Sequence, residues 1–299
     1  MYRATIETPI VLVTFKRQDS LKKIVELLKQ YEIKNLVIVS DGPRSADEAR
    51  AVNEVRTLLD TLDAENLIKI YADSNRGLKE NLTEGVSAAL EQSTEALVLE
   101  DDCIPSHQFL ELCDKLAFRL RNNSALAGFC GTSFLPSFLP VFFWTSRKFN
   151  VWGWIAKREV WREFIASDML AMNGQQLLAK RPRLEGLPPL ARYELRRILK
   201  NLHKLDTWDV QFEIFCIERG LSFLKNSRNH VRNEGFDTNA TNVGIGKSLS
   251  LSVQEAGLRS ERLNPHSVIL DYLEHSNKIR MLMGDLLSSY GARLVRFLK

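Results

Sequence analysis

Cysteine is scarce in this 299-residue sequence: there are four, at Cys103, Cys113, Cys130 and Cys216. None forms a CxxC pair and none stands with histidine at a metal-ligand spacing, so a disulfide framework and a zinc module are both disfavoured. Free thiols in a reducing compartment are the expectation. Long apolar runs are also missing. The most apolar segment, Phe134 to Trp144, is short and broken by Pro136 and Pro140, so it does not suit a bilayer span. Met1 to Thr8 carries charges and no apolar run, unlike a signal peptide. Neither charge sign dominates: 41 basic against 37 acidic residues leave a net +4, far from the dense basic stripe of a dedicated nucleic-acid binder. Nucleic acid is therefore not an expected partner. Repeats and low-complexity tracts are lacking, which excludes solenoids and disordered scaffolds. These absences point to a cytoplasmic location.

Two phosphate-binding signatures are absent as well. No GxGxxG follows the first apolar strand, which disfavours a dinucleotide fold of the usual kind, and no GxxxxGK[ST] marks a P-loop. The first strand runs instead into Thr14-Phe15-Lys16-Arg17-Gln18-Asp19, without glycine, where a sugar nucleotidyltransferase is expected to be glycine-rich.

What the sequence does contain is a hydrophobic fraction of 44%, enough for one large core. Its first hundred residues alternate strand and helix. Pro9 to Phe15 is a β-branched apolar run suited to a strand buried on both faces. Leu21, Ile24, Val25 and Leu28 then mark one helical face. Asn35 to Ser40 reads as a second strand, Ser45 to about Leu59 as a helix with early acids, and Leu67 to Tyr71 as a third strand. A helix over roughly 79–91 precedes a fourth strand, Ala96 to Leu99, which runs straight into Glu100-Asp101-Asp102. Strands separated by helices imply a parallel sheet with right-handed crossovers. In such sheets ligands bind outside the carboxyl ends of the strands, where the polar loops at 14–17, 41–44, 73–77 and 100–102 all fall. Beyond Asp102, Ser106 is placed to cap a helix, and Leu126 to Cys130 suits another strand. One helix contains Trp161, and another runs from Val210 to Arg219. The segment from Lys180 to Lys204 is basic, and the stretch from about Pro265 to Lys299 is amphipathic and helical in pattern.

Carboxylates crowded at the end of a buried strand repel one another and resist desolvation unless a cation or a donor network compensates. A divalent ion shared with a diphosphate is one compensation, because hard oxygen ligands suit Mg²⁺ or Mn²⁺. The plainer alternative is that Glu100 and Asp101 solvate a strand end while Asp102 caps the next helix.

The ordered set of motifs resembles GT-A-fold glycosyltransferases, specifically the family-2-like bacterial sugar transferases, and is more distantly similar to N-acetylglucosaminyltransferase I. The motifs are Thr14-Phe15-Lys16-Arg17, Ser40-Asp41-Gly42, Asn75-Arg76-Gly77-Leu78, Leu99-Glu100-Asp101-Asp102, Val151-Trp152-Gly153-Trp154, Thr207-Trp208-Asp209-Val210-Gln211 and Asn233-Glu234-Gly235-Phe236. The resemblance implies an α/β fold with a Rossmann-like, mostly parallel sheet flanked by helices. It implies a catalytic domain over 1–250, divided into a nucleotide-binding half (1–102) and an acceptor-binding half (103–250), with a C-terminal helical extension over 251–299. The implied activity is that of an inverting, metal-dependent hexosyltransferase. It would move sugar from a nucleotide-diphosphate sugar to a glycan or glycolipid in bacterial surface-polysaccharide biosynthesis.

By the same resemblance, Thr14, Arg17, Asp41, Asn75, Arg76, Asp101 and Asp102 would bind the donor, with Asp102 the direct ligand of Mn²⁺ or Mg²⁺ and His230 a further candidate. Asp209 would be the general base; its alternative is helix N-capping. Trp152, Gly153, Trp154 and Trp208 would line the acceptor site, with core packing the alternative for the tryptophans. Relatives often close the last motif with Ala-Thr-His-Thr, whereas this chain reads Ala240-Thr241-Asn242-Val243. That substitution keeps in view a nucleotide-sugar-binding or partner-binding protein on a degenerate GT-A fold; a sugar nucleotidyltransferase is a separate alternative, against which the glycine-free first loop argues. The basic segments at 180–204 and 280–299 suit either a solvated surface or peripheral contact with anionic lipid at the inner face of the membrane.

Overall fold

The computed structural model describes residues 3–136, 139–180, 184, 187, 189–201, 207–235, 263–264, 270–271 and 273–278. The chain begins with β1 (Thr5–Ile6), β2 (Ile10–Thr14), α1 (Gln18–Leu28), β3 (Glu32–Ile33) and β4 (Asn35–Ser40). It continues through α2 (Ala46–Leu59), β5 (Asn66–Tyr71), α3 (Leu78–Gln92) and β6 (Glu95–Glu100). Then come β7 (Cys103–Pro105), α4 (His107–Arg121), β8 (Leu126–Cys130), β9 (Phe143–Ser146), β10 (Trp154–Lys157) and α5 (Arg158–Ala166). After α6 (Gly174–Ala179) and α7 (Pro189–Asn201) the described elements are α8 (Asp209–Glu218), β11 (Ser222–Asn226), β12 (Val231–Asn233) and β13 (Leu263–Asn264).

The central sheet has nine strands in the order β13-β9-β11-β8-β10-β6-β2-β4-β5. The strands β6, β2, β4 and β5 are all parallel, as their separation by helices requires. Their side chains alternate between two cores. Val11 and Val13, Val37 and Val39, and Ala96 and Val98 face one; Ile10 and Leu12, Leu36 and Ile38, and Leu97 and Leu99 face the other. Helix α3 covers the first face with Leu82, Val86 and Leu90, while α1 and α4 cover the second with Leu21, Ile24, Val25, Phe109 and Cys113. Each such side chain, fully withdrawn from water, is worth about 1.5–3 kcal/mol. Ser106 caps α4 as its sequence position suggests, with Oγ accepting from Phe109 N at 3.0 Å.

β10 breaks the parallel pattern. It inserts antiparallel between β6 and β8, setting Trp154 opposite both Val98 and Cys130. A two-stranded ribbon, β12 against β7, pairs Asn233 with Cys103 and so brings the 231–235 segment onto the end of β6. Helix α8 is buried along its length from Val210 to Ile217, its apolar residues into the core and Glu213 against Lys148. Residues 270–271 and 273–278 are helical and pack beside the loops that flank β9. Most of the segment 251–299 lies outside the described residues; of it, Leu263–Asn264 add a parallel strand beside β9.

Candidate active site

The carboxyl ends of β2, β4 and β6 open into a cavity of ≈ 560 Å³, closed on its other side by residues 151–152, 207–209 and 233–235. Thr14 ends β2 and straps it to the next strand, its hydroxyl donating to Val39 O at 3.0 Å. Asp41 follows β4 and is buried. Its carboxylate takes four donors: Gly42 N at 2.8 Å and Arg76 N at 2.8 Å on Oδ1, Asn75 Nδ2 at 2.7 Å and Gly77 N at 3.1 Å on Oδ2. A carboxylate has about four lone-pair positions, so Asp41 is saturated by the loop it organises. Asn75 also donates to Gly42 O at 3.1 Å, tying the two loops together.

The acidic triplet forms the floor. Asp101 accepts from Phe15 N at 2.9 Å and from the Arg17 guanidinium at 3.4 Å. Asp102 pairs with the same guanidinium through Oδ2 and accepts at Oδ1 from Asn233 Nδ2 at 3.4 Å and the Cys103 thiol at 3.2 Å. Asp102 caps nothing: the cap of α4 is Ser106. Gly235 sits so close that a Cβ there would collide with Asp102 Oδ2, so only glycine leaves that oxygen its place. Burial, then the charge of Asp102, pushes Asp101 up to about 6, against the pull of Arg17 and the backbone amides. Burial and then the charges of Asp102, Asp101 and Asp209 raise Glu100 well above the carboxylate range. Arg17 does not offset all of this negative charge.

Asp209 enters from the opposite wall. It is the first residue of α8, not its cap, a position held by Trp208 without a side-chain bond. Thr207 Oγ1 donates to Asp209 Oδ1. Burial, then Glu213 one turn along the helix, raises the Asp209 pKa, while the amides of Asp209 and Val210 and the Lys148 cation oppose the shift. Lys148 is held at 2.9 Å from Glu213.

Several residues lie elsewhere than the sequence suggests. Arg76 contributes its backbone N–H to Asp41, but its guanidinium turns back along α3 to Glu84 at 2.7 Å and Asn81 at 2.9 Å, away from the cavity lining. Trp154 is 1% exposed and packs against Trp208 with ring centroids 5.3 Å apart, deep in the core. Trp208 belongs to the same buried aromatic cluster and also lines the cavity, as Trp152 does. Gly153 adopts φ +61 and packs its Cα toward Val231, where a Cβ would lie 2.5 Å from Cγ2; its backbone approaches a neighbouring strand and not the cavity. His230 is buried against Phe109, centroids 5.8 Å apart, and takes no part in the acid cluster. Asn242 and its motif lie outside the described residues. Sequence reasoning quoted Thr207 and Asn233 within motifs but gave them no role, and it missed the Lys148–Glu213 pair, of which only Glu213 carried a signal, standing four residues after Asp209 on the same helix face.

Among the described residues, no group of three His, Cys, Asp or Glu side chains forms a cation cage. The charge nevertheless suits a cation: three strand-end carboxylates share Arg17. The chemistry matches a divalent ion whose remaining ligands come from a diphosphate.

Residues 10–130 match the model of glycosyl transferase family 2, the stretch that builds the sheet from β2 to β8 and supplies the acidic floor. No curated protein matches the chain. Among solved structures, a mannosyltransferase from Pyrobaculum calidifontis in complex with GDP-Man and Mn²⁺ is similar at 13% identity, covering 73% of this chain and 70% of that one, with a TM-score of 0.37. The galactosyltransferase LgtC, in complex with donor and acceptor sugar analogues, is similar at 10% identity, with 72% and 73% covered and a TM-score of 0.36. A 4-diphosphocytidyl-2C-methyl-D-erythritol synthase from Anaerococcus prevotii is similar at 13% identity, with 54% and 78% covered and a TM-score of 0.31. At such scores none of them assigns a residue. Over residues 10–130 the chain is thus similar to glycosyl transferase family 2, and that stretch folds, as expected, into parallel strands flanked by helices.

Proposed function

We propose that the protein transfers a sugar from a nucleotide-diphosphate sugar to a hydroxyl of a glycan or glycolipid, with inversion, in bacterial surface-polysaccharide assembly. The observation that carries this reading is the single cavity shared by the ends of β2, β4 and β6 on one side and Asp209 on the other. The nucleoside lies along the Thr14, Asp41 and Asn75 wall, with Asp41 acting through the loop it holds. Arg17, paired with Asp101 and Asp102, and Arg44 are the lining cations that would face the diphosphate. Asp102 and Asp101 would hold Mn²⁺ or Mg²⁺, which when bound neutralises charge on the departing diphosphate. The acceptor lies against Trp152. Its hydroxyl oxygen forms the new bond to the anomeric carbon as the bond to the diphosphate oxygen breaks, and its proton passes to the Asp209 carboxylate. The raised pKa of Asp209 suits a base working near neutrality.

Among the described residues no helix is long and apolar enough to cross a membrane. Helix α7 buries Ala191, Leu195 and Leu199 and exposes Arg196, Arg197 and Lys200, a pattern that suits salt-sensitive peripheral contact with anionic lipid near a glycolipid acceptor.

A thermal-shift screen of UDP-, GDP-, CMP- and dTDP-sugars with and without Mn²⁺ tests donor binding, because a ligand of the folded state raises its apparent stability. Nucleotide release with a panel of octyl glycosides then tests transfer. Donor binding without transfer or hydrolysis would favour a binding protein on this fold, and pyrophosphate release from a nucleoside triphosphate and a sugar phosphate would favour a nucleotidyltransferase.

A further inference from the structure

The helical residues 270–271 and 273–278 insert a carboxylate into the second half of the sheet. Glu274 is 4% exposed, and its Oε2 pairs at 2.7 Å with Lys225 of β11, itself fully buried. Its Oε1 accepts from Phe134 N at 3.2 Å and from Asn150 Nδ2 at 3.1 Å. Phe134 and Asn150 belong to the two loops that flank β9, so one carboxylate oxygen joins both. The connection continues to the cavity. Asn150 Nδ2 also donates to Thr132 O at 3.1 Å, Thr132 Oγ1 donates to Trp152 O at 2.7 Å, and the Phe134 ring packs on Trp152 with centroids 5.8 Å apart. Asn277 adds a second tie from the same helical stretch, donating to Phe134 O at 2.6 Å.

We propose that Glu274 is a positioning residue for the cavity wall that carries Trp152, and that through this wall the C-terminal helical stretch sets the acceptor site. The acceptor assignment rests on the function proposed above; the link from Glu274 to the wall does not. A residue so far along the chain needs a reason to be buried as a charge. An ion pair in an apolar interior contributes little net stability against a hydrophobic replacement, so its worth lies in what it orders. Here it orders Phe134 N, which an apolar side chain would leave without an acceptor, and Asn150 Nδ2, which would keep only Thr132 O.

The test uses two variants of the full chain in which the buried charges are removed together, because Glu274→Ala alone would strand Lys225 and threaten folding. Lys225→Met with Glu274→Leu keeps the packing but removes the acceptor oxygen. Lys225→Met with Glu274→Gln keeps an oxygen for Phe134 N and Asn150. Hydrogen exchange of peptides covering residues 131–153 is compared with that of peptides covering 10–16 and 96–102. The Leu variant should exchange about tenfold faster in the first set and at the parental rate in the others, and the Gln variant should return to the parental rate. With an octyl glycoside that the parent glycosylates, the Leu variant should raise acceptor KM about tenfold and leave donor KM within about twofold, again reversed by Gln. Unchanged exchange over 131–153, or equal loosening of all the peptides in both variants, would overturn the proposal. Selective loosening with donor and acceptor KM moved equally would overturn the acceptor role. A parent that transfers no sugar would sink the proposed function, and the exchange comparison would still decide whether Glu274 holds the wall.

Discussion

The guanidinium of Arg17 is paired with the carboxylate of Asp102 across the cavity floor, so a residue from the first loop is the counter-ion of the acid that ends the fourth parallel strand. The same guanidinium reaches Asp101 at 3.4 Å. One cation serving a crowded set of carboxylates explains why Glu100 and Asp101 remain shifted upward in spite of it. Negative charge is concentrated where the proposed donor would set its diphosphate, and added positive charge would reconcile the two.

Asp102→Ala tests that account. In the parent, a nucleotide sugar with Mn²⁺ at a hundred times its dissociation constant should stabilise the fold by about 2.7 kcal/mol. The variant should lose the Mn²⁺-dependent part of that shift. Retention of the full shift by Asp102→Ala would show that the strand-end acid does not serve the donor complex.

Asp209→Ala separates binding from chemistry. Donor binding should be spared, because the side chain belongs to α8 and not to the Thr14, Asp41 and Asn75 loops proposed to hold the nucleoside, while transfer should fall by roughly 10²–10⁴-fold. The sign of the pH effect follows from the raised pKa. The base is ionised above that value, so kcat/KM should fall as pH drops through it, at a higher pH than for an ordinary aspartate. Lys148→Met removes a cation that favours the ionised form and should move the acid limb of the profile further upward. A limb that stays in place would separate Lys148 from the base.

Asp41→Asn should weaken the donor site indirectly. An amide offers one oxygen where the carboxylate offers two, and its NH₂ would face two of the four donors at Gly42, Asn75, Arg76 and Gly77. Leaving those donors unpaired should destabilise the fold by about 1–3 kcal/mol and lower nucleotide-sugar affinity. Denaturant unfolding and donor titration of the variant measure the two effects. An unperturbed fold with lost affinity would mean that Asp41 touches the nucleotide itself.

The first half of this architecture was legible because two simple periodicities coincide there. Val11 and Val13 alternate with Ile10 and Leu12 between two cores, and Leu21, Ile24 and Val25 keep helical spacing against one of them. The site at the strand ends followed from that topology. The second half obeys partners far away in sequence. Lys225 reads as a surface residue, yet it is buried because Glu274 arrives 49 residues later. Trp154 reads in sequence either as an acceptor-site residue or as core packing, and a four-residue strand wedged beside β6 carries it into the core. Arg76 could be placed at the site but not aimed; Glu80 and Glu84, one and two helical turns on, were the signal that it would turn back along its helix.

His230 gives a stability prediction independent of catalysis. Burial lowers its pKa from 6.5 to about 4, and its Nδ1 has no partner among the described residues. The unfolded chain therefore binds a proton between those values that the folded chain refuses. Stability from this residue is complete above about 6.5 and is lost as pH falls toward 4, by roughly 3 kcal/mol in all. Asp101 has the opposite sign, since its folded pKa of about 6 lies above the ordinary 3.8, so its contribution is lost as pH rises through about 6. The two trends oppose each other in the parent and hide one another in a simple pH scan. A difference measurement separates them. His230→Phe keeps an aromatic ring against Phe109 and carries any packing cost at every pH alike. Its unfolding free energy relative to the parent should therefore climb as pH drops from 7 to 4, because only the parent retains the His230 penalty. A difference that stays flat over that range would mean that His230 is not neutral in the folded protein.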